Sequence, residues 1–125
     1  MSTQEAVMST QDVANRFHEL AQTGQWSGIQ DELFADDAVS MEPEKSPGMK
    51  TVLGIEAIRQ KGKQFGEMLE EMHGGYSNEP IVAGNHFAVA MGMDATMKER
   101  GRMKMDEIAL YEVKDGKIVK EQFFF

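Results

Sequence analysis

At 125 residues and 14.0 kDa the chain is the size of one domain, large enough to bury about two-thirds of its unfolded surface without a covalent staple. A net charge of −8 and an isoelectric point near 4.8 oppose binding to a phosphate backbone, because no basic cluster exists to release its counterions. The lack of cysteine excludes disulfides, thiolate metal sites and a thiol nucleophile, and no apolar run reaches the length of a membrane span.

Met1-Ser2-Thr3-Gln4-Glu5 and Met8-Ser9-Thr10-Gln11-Asp12 are near-copies, and residues 1–8 are expected to form a flexible N-terminus ahead of a single domain over 9–125. The start has neither the basic region nor the apolar core of a secretory signal, so the expected location is cytoplasmic. Ser9 with Asp12 three residues on has the form of a capping box. Val13, Phe17, Leu20 and Ala21 then fall at helical spacing, which predicts an amphipathic helix to about Thr23, stopped by Gly24. Trp26, Ile29 and Leu33-Phe34 mark a second, short helix closed by Ala35-Asp36-Asp37-Ala38, and Val39-Ser40-Met41-Glu42 alternates as a short strand. Prolines and a glycine between Pro43 and Lys50 predict a loop, placed to overhang a pocket mouth.

Gly54 opens the longest expected helix. Ile55, Ile58, Gly62, Phe65, Leu69 and Met72 repeat at helical spacing as one buried stripe, with Gly62 allowing close approach to a sheet and His73-Gly74-Gly75 capping the end. Strands follow: Tyr76 to Val82, His86 to Met97, and a last pair running from Arg102 to Phe125 about the turn Lys114-Asp115-Gly116-Lys117. Asp-Gly between two extended runs is a strong hairpin signal, because glycine takes positive φ without strain. On the middle strand Phe87, Val89, Met91, Met93 and Ala95 share one face, and the small residues Ala88, Ala90, Gly92, Asp94 and Thr96 the other. Helices first and an antiparallel meander after them predict an α+β fold, with the long helix lying across a curved sheet and a cavity between its open end and the sheet.

The 11 methionines read either as a soft pocket lining or as ordinary core filling. Asp94 and Asp106 stand inside otherwise apolar strands, where a buried acid needs a partner or a proton; facing outward, they would pair with Arg102 or Lys104 across the sheet. His18, His73 and His86 are not spaced as a metal set, so no metal and no cofactor are expected. No phosphate-cradling glycine loop and no Gly-x-Ser-x-Gly elbow is present.

Phe34-Ala35-Asp36-Asp37-Ala38-Val39, Gly54-Ile55-Glu56-Ala57-Ile58-Arg59 and Tyr111-Glu112-Val113-Lys114-Asp115-Gly116-Lys117-Ile118-Val119 together resemble the SnoaL-like and ketosteroid-isomerase-like branch of the nuclear transport factor 2-like superfamily. The resemblance implies a cone-shaped α+β barrel, three N-terminal helices packed on a curved, mostly antiparallel, cystatin-like sheet, with an apolar pocket and a homodimer through the outer sheet face. It also implies that Glu42, followed by Pro43, stands where ketosteroid isomerases carry their general base. A carboxylate beside an apolar wall can lift a proton next to a carbonyl, its desolvation raising its proton affinity toward working pH. The family's oxyanion-donating tyrosine corresponds to Phe17, which has no proton to donate; its acidic donor corresponds to Ile108, with Asp106 two residues away on the same face. In polyketide-cyclase relatives an Asp with a nearby His does this work, which makes Asp94, Asp106 and His86 candidates.

The expected function is therefore that of a small-molecule pocket protein performing acid/base isomerisation or cyclisation on an apolar, carbonyl-bearing, polyketide- or steroid-like substrate. Phe17, Trp26, Met41, Phe65, Met91, Met93, Met105 and Phe123 are the expected pocket walls. The alternative is a non-catalytic ligand-binding or protein-interaction dimer of the same fold.

Overall fold

A computed structural model of the chain describes residues 7–46 and 48–125. Helix α1 (Thr10–Gln22) starts on a complete capping box, the Ser9 hydroxyl accepting from the Asp12 amide and the Asp12 carboxylate from the Ser9 amide. Gly24, at φ 70°, follows its end. Helix α2 (Trp26–Leu33) leads directly into strand β1 (Phe34–Met41). A two-residue strand β2 (Val52–Leu53) precedes α3 (Ile55–Met68), and β3 (Leu69–Ser77), β4 (Ile81–Ala83), β5 (His86–Met97), β6 (Gly101–Lys114) and β7 (Lys117–Phe124) complete the chain.

The three helices pack on one side of a curved, unclosed, seven-stranded sheet of order β2-β1-β7-β6-β5-β3, with β4 also paired to β5. All pairings are antiparallel except β1 with β7. That parallel contact joins the strand after α2 to the last strand of the chain. At the β6–β7 turn Asp115 (φ 51°) and Gly116 (φ 76°) both adopt positive φ, the geometry whose twist matches the flanking strands.

The core lies between α1, α2, α3 and one sheet face. Val13, Phe17 and Leu20 of α1, Ile29 and Leu33 of α2 and Ile58 of α3 meet Phe87, Val89, Ala109, Tyr111 and Ile118 from the sheet. Phe17 is its centre: its ring lies 4.8 Å from Tyr111 and 5.5 Å from Phe87, and Tyr111 stacks on Phe87 at 4.9 Å. Such ring pairs contribute roughly 1 kcal/mol each beyond their buried area. Among the described residues no helix is long and apolar enough to cross a membrane.

Several boundaries differ from those expected. The long helix ends at Met68, not at His73-Gly74-Gly75, and 69–77 form a strand whose residues pair with β5 from Leu69↔Met97 to Ser77↔Met91. The backbone ladder overrides a locally helical pattern; Met72, the last residue of the expected stripe, is half exposed. His73 accordingly caps no helix and instead bonds the Thr96 hydroxyl at 2.7 Å. The expected strand Tyr76 to Val82 is broken into β3 and β4, and β1 begins at Phe34 instead of Val39, with a register shift against β7 between those two residues. Gly62 does not face the sheet: a Cβ there would meet only the Gln30 side chain of α2, at 3.5 Å. The first copy of the Met-Ser-Thr-Gln duplication lies outside the described residues.

Candidate functional site

Because side chains alternate along a strand, β6 presents Met105, Glu107, Ala109, Tyr111 and Val113 to the helices. Beside it β7 presents Glu121 and Phe123, opposite Tyr111 and Ala109, and β1 presents Ser40, opposite Glu121. Helix α3 completes the site. Its sheet-facing stripe runs through Ile58, Lys61, Phe65 and Met68, so that a lysine occupies a position among apolar residues.

Lys61 Nζ donates to Glu42 Oε2 at 2.8 Å, with the two side chains only 11% and 9% exposed. The same ammonium reaches the Lys50 carbonyl at 3.4 Å and lies 5.6 Å from the centre of the Phe123 ring. The Glu42 amide donates to the Thr51 hydroxyl at 3.0 Å, which ties the end of β1 to the strand-like segment returning after the proline loop. Fully buried Ser40 donates its hydroxyl to Glu121 at 2.6 Å, and Tyr111 brings its hydroxyl to the same carboxyl.

Three carboxyl groups, Glu42, Glu107 and Glu121, thus gather around one lysine. Burial pushes Glu107 up to about 7, the negative charges of Glu42 and Glu121 push the same way, and Lys61 pulls it back. Burial also raises Glu121, against the Ser40 hydrogen bond and the Lys61 charge, and raises the Tyr111 hydroxyl well above its ordinary value. The arrangement holds, near neutral pH, both an ion-paired carboxylate and a carboxyl able to give or take a proton.

Of the sequence-predicted site residues, Glu42 stands in this cluster. Asp106, Asp94 and His86 stand on the opposite, outer face of the sheet. Asp106 accepts from the Tyr76 hydroxyl at 2.7 Å, which raises the tyrosine's proton affinity; the two flank Gly92, where a Cβ would fall 2.5 Å from the Tyr76 ring. Asp94 is bridged by Arg102 at 3.0 and 2.9 Å, and that hydrogen-bonded guanidinium holds it below the usual carboxylate range. His86 lies 3.7 Å from Glu112 at the rim of the same face.

Of the expected pocket walls, Met91, Met93, Met105 and Phe123 share the helix-facing side of the sheet, with Met93 directly opposite Met105 and Met91 opposite Glu107. Half-buried Phe65 stands on α3. Phe17 is fully buried in the core. Met41 projects away from buried Ser40, and Trp26, touching the edge of Phe17, lines an outer groove of about 380 Å³ between α2 and α3. Lys61, Glu107, Glu121, Ser40 and Tyr111 were not singled out from the sequence, although each carries a signal. Lys61 sits three residues after Ile58 and four before Phe65, and Glu107 and Glu121 keep the two-residue period of Ala109 and Phe123.

A family model described as a SnoaL-like domain matches residues 8–125. A Mesorhizobium loti protein, described as a candidate SnoaL-like polyketide cyclase and also as a carbohydrate phosphatase, has a similar structure with TM-score 0.88 and 39% identity over 94% of this chain and 100% of that one. A Catenulispora acidiphila protein with a ketosteroid isomerase-like fold, solved in complex with trimethylamine, is similar with TM-score 0.69 and 18% identity over 90% and 84% of the two chains. TerC, co-crystallised with polyporic acid, is similar with TM-score 0.71 and 19% identity over 93% and 90%. No curated protein matches the sequence.

Proposed function

This chain belongs to the SnoaL-like domain family, and from that premise we propose that it is an acid/base catalyst of isomerisation or cyclisation on a small, apolar, carbonyl-bearing molecule. The observation that carries the reading is the shared, largely buried site of Glu42 and Glu107, one carboxylate held by Lys61 and one carboxyl poised near pH 7. A general acid is most effective when it titrates near the working pH, as Glu107 does. In this reading Glu42 takes the proton from the carbon next to the substrate carbonyl, and Glu107 gives one to the developing oxyanion. Met91, Met93, Met105, Phe65 and Phe123 supply the apolar wall, their thioethers adapting to the ligand's shape. The complexes of similar folds with trimethylamine and polyporic acid are in keeping with a small-molecule ligand.

Turnover of a panel of cyclic ketones and polyketide-like diketones, followed by loss or gain of conjugated absorbance, tests the proposal. Glu42→Gln should lower kcat by at least about a hundredfold, the ordinary contribution of a positioned base, while leaving the folded state intact. Full activity in that variant refutes the assignment of Glu42.

A second reading, a non-catalytic homodimer module, is favoured by the outer sheet face. There Ile108 and Phe124 pair across strands and are each about half exposed, beside Tyr76 and the small residues Ala88, Ala90 and Gly92. An exposed apolar strip of this kind suits a second copy of the chain. Sedimentation of a stable monomer at micromolar concentration would remove the dimer from either reading.

A further inference from the structure

We propose that Lys61 is the positioning residue of the candidate site: its ammonium anchors the Glu42 carboxylate and, through its charge, sets which of the three surrounding carboxyls carries the proton. This rests on the site proposed above. The ammonium has little freedom. One side meets Glu42 at 2.8 Å, another the Lys50 carbonyl at 3.4 Å, and the Phe123 ring lies 5.6 Å away. A lysine has three N–H donors and no acceptor, so an ammonium with these partners is a fixed positive charge and not a free nucleophile.

The groups that face it come from every element around it. Ser40 and Glu42 stand on and just after β1, Glu107 and Tyr111 on β6, and Glu121 on β7; among the described residues Lys61 is the cation whose charge acts on both Glu107 and Glu121. Three carboxyls cannot all be ionised beside a single buried cation without a large cost, so the position of that cation sorts them. The carboxylate in contact with it is the base. Glu107 and Glu121, which feel its charge without a hydrogen bond to it, share the remaining protons, and Glu121 is further occupied by Ser40. Lys61 acts through these carboxyls and needs no contact with substrate.

The test is a titration of the full chain labelled with 13C at the glutamate carboxyl carbons, followed by NMR, for wild type, K61R and K61Q. Removal of the charge in K61Q should raise the Glu107 midpoint above its wild-type value near 7, and K61R should restore it. If K61Q unfolds because Glu42 loses its partner, the same comparison is made between E42Q and E42Q/K61Q, where no Glu42 carboxylate is left to be stranded, and the same rise is expected on adding K61Q. An unchanged Glu107 midpoint in these variants overturns the proposal and leaves Lys61 a packing residue. The titration requires no substrate. A Glu107 midpoint that follows Lys61 in a protein that turns over no carbonyl compound therefore refutes the catalytic reading alone.

Discussion

Lys61 meets Glu42 at 2.8 Å on the helix-facing side of the sheet, and Arg102 meets Asp94 at 2.9 Å on the outer face, so the two ion pairs have almost the same length. Their surroundings differ. The first pair is 11% and 9% exposed, beneath α3 and beside two further carboxyls; the second is 61% and 22% exposed, and its guanidinium is open to water. On the outer face a carboxylate with a cation at hand simply stays ionised, as Asp94 does, and water screens what is left of the interaction. On the inner side no single cation can satisfy three acids, and burial drives Glu107 toward neutrality near pH 7. The same residue types thus yield a screened surface pair in one place and proton-exchanging groups in the other, and the difference lies in solvent access.

The largest effect that would sharpen this contrast is on stability. Replacing Lys61 by Met strands the buried Glu42 carboxylate and should cost about 3 kcal/mol at neutral pH in urea unfolding. A loss no greater than that of an exposed pair would show that the inner site is wetter than its geometry indicates.

A smaller, pH-dependent effect is expected at Glu107. Its folded value near 7 lies above its unfolded value of 4.5, so the folded state holds the proton more tightly. The stabilisation is fully present below about pH 4.5 and is lost as pH rises through 7. Allowing for partial exposure, wild type should lose about 2 kcal/mol between pH 5 and pH 8 relative to Glu107→Gln. Parallel stability profiles for the two proteins would contradict the raised value.

The smallest effect belongs to the outer face. Asp94→Asn should leave the urea midpoint close to wild type, with any difference vanishing in high salt. A clear, salt-resistant loss would mean that this pair is covered, for instance by a second copy of the chain, and would erase the contrast.

Glu42 was legible because it follows the Phe34-Ala35-Asp36-Asp37-Ala38-Val39 motif at a fixed distance and precedes Pro43. Its partners were not, although the periodicities contained them. Spacing alone does not select Lys61, because its neighbour Gly62 fits the apolar stripe equally well. Only packing shows that the Gly62 side turns to Gln30 of α2 while Lys61 turns to the sheet. Asp94 and Asp106 drew attention as acids inside apolar strands, yet alternation alone leaves open which of a strand's two faces the helices cover. The pairing of Gly92 with both Tyr76 and Asp106 puts them on one face, and the exposure of Tyr76 and Asp106 shows that this face is the outer one.

The features legible from the chain alone are those that neighbouring residues decide among themselves. They include the Ser9–Asp12 cap, the positive-φ turn at Asp115-Gly116, the helical faces of α1 and α2, and the separation of each strand into two sets. These depend on contacts within a few positions along the chain, and local conformational preference suffices for them. Tertiary structure alone decided where α3 gives way to β3, because the Leu69–Ser77 ladder needs β5, whose residues come later in the chain. It also decided the cluster itself: Glu42 follows β1 while Lys61, Glu107 and Glu121 lie on α3, β6 and β7, and their shared loss of solvent, which perturbs Glu107 and Glu121, exists only once those segments have packed.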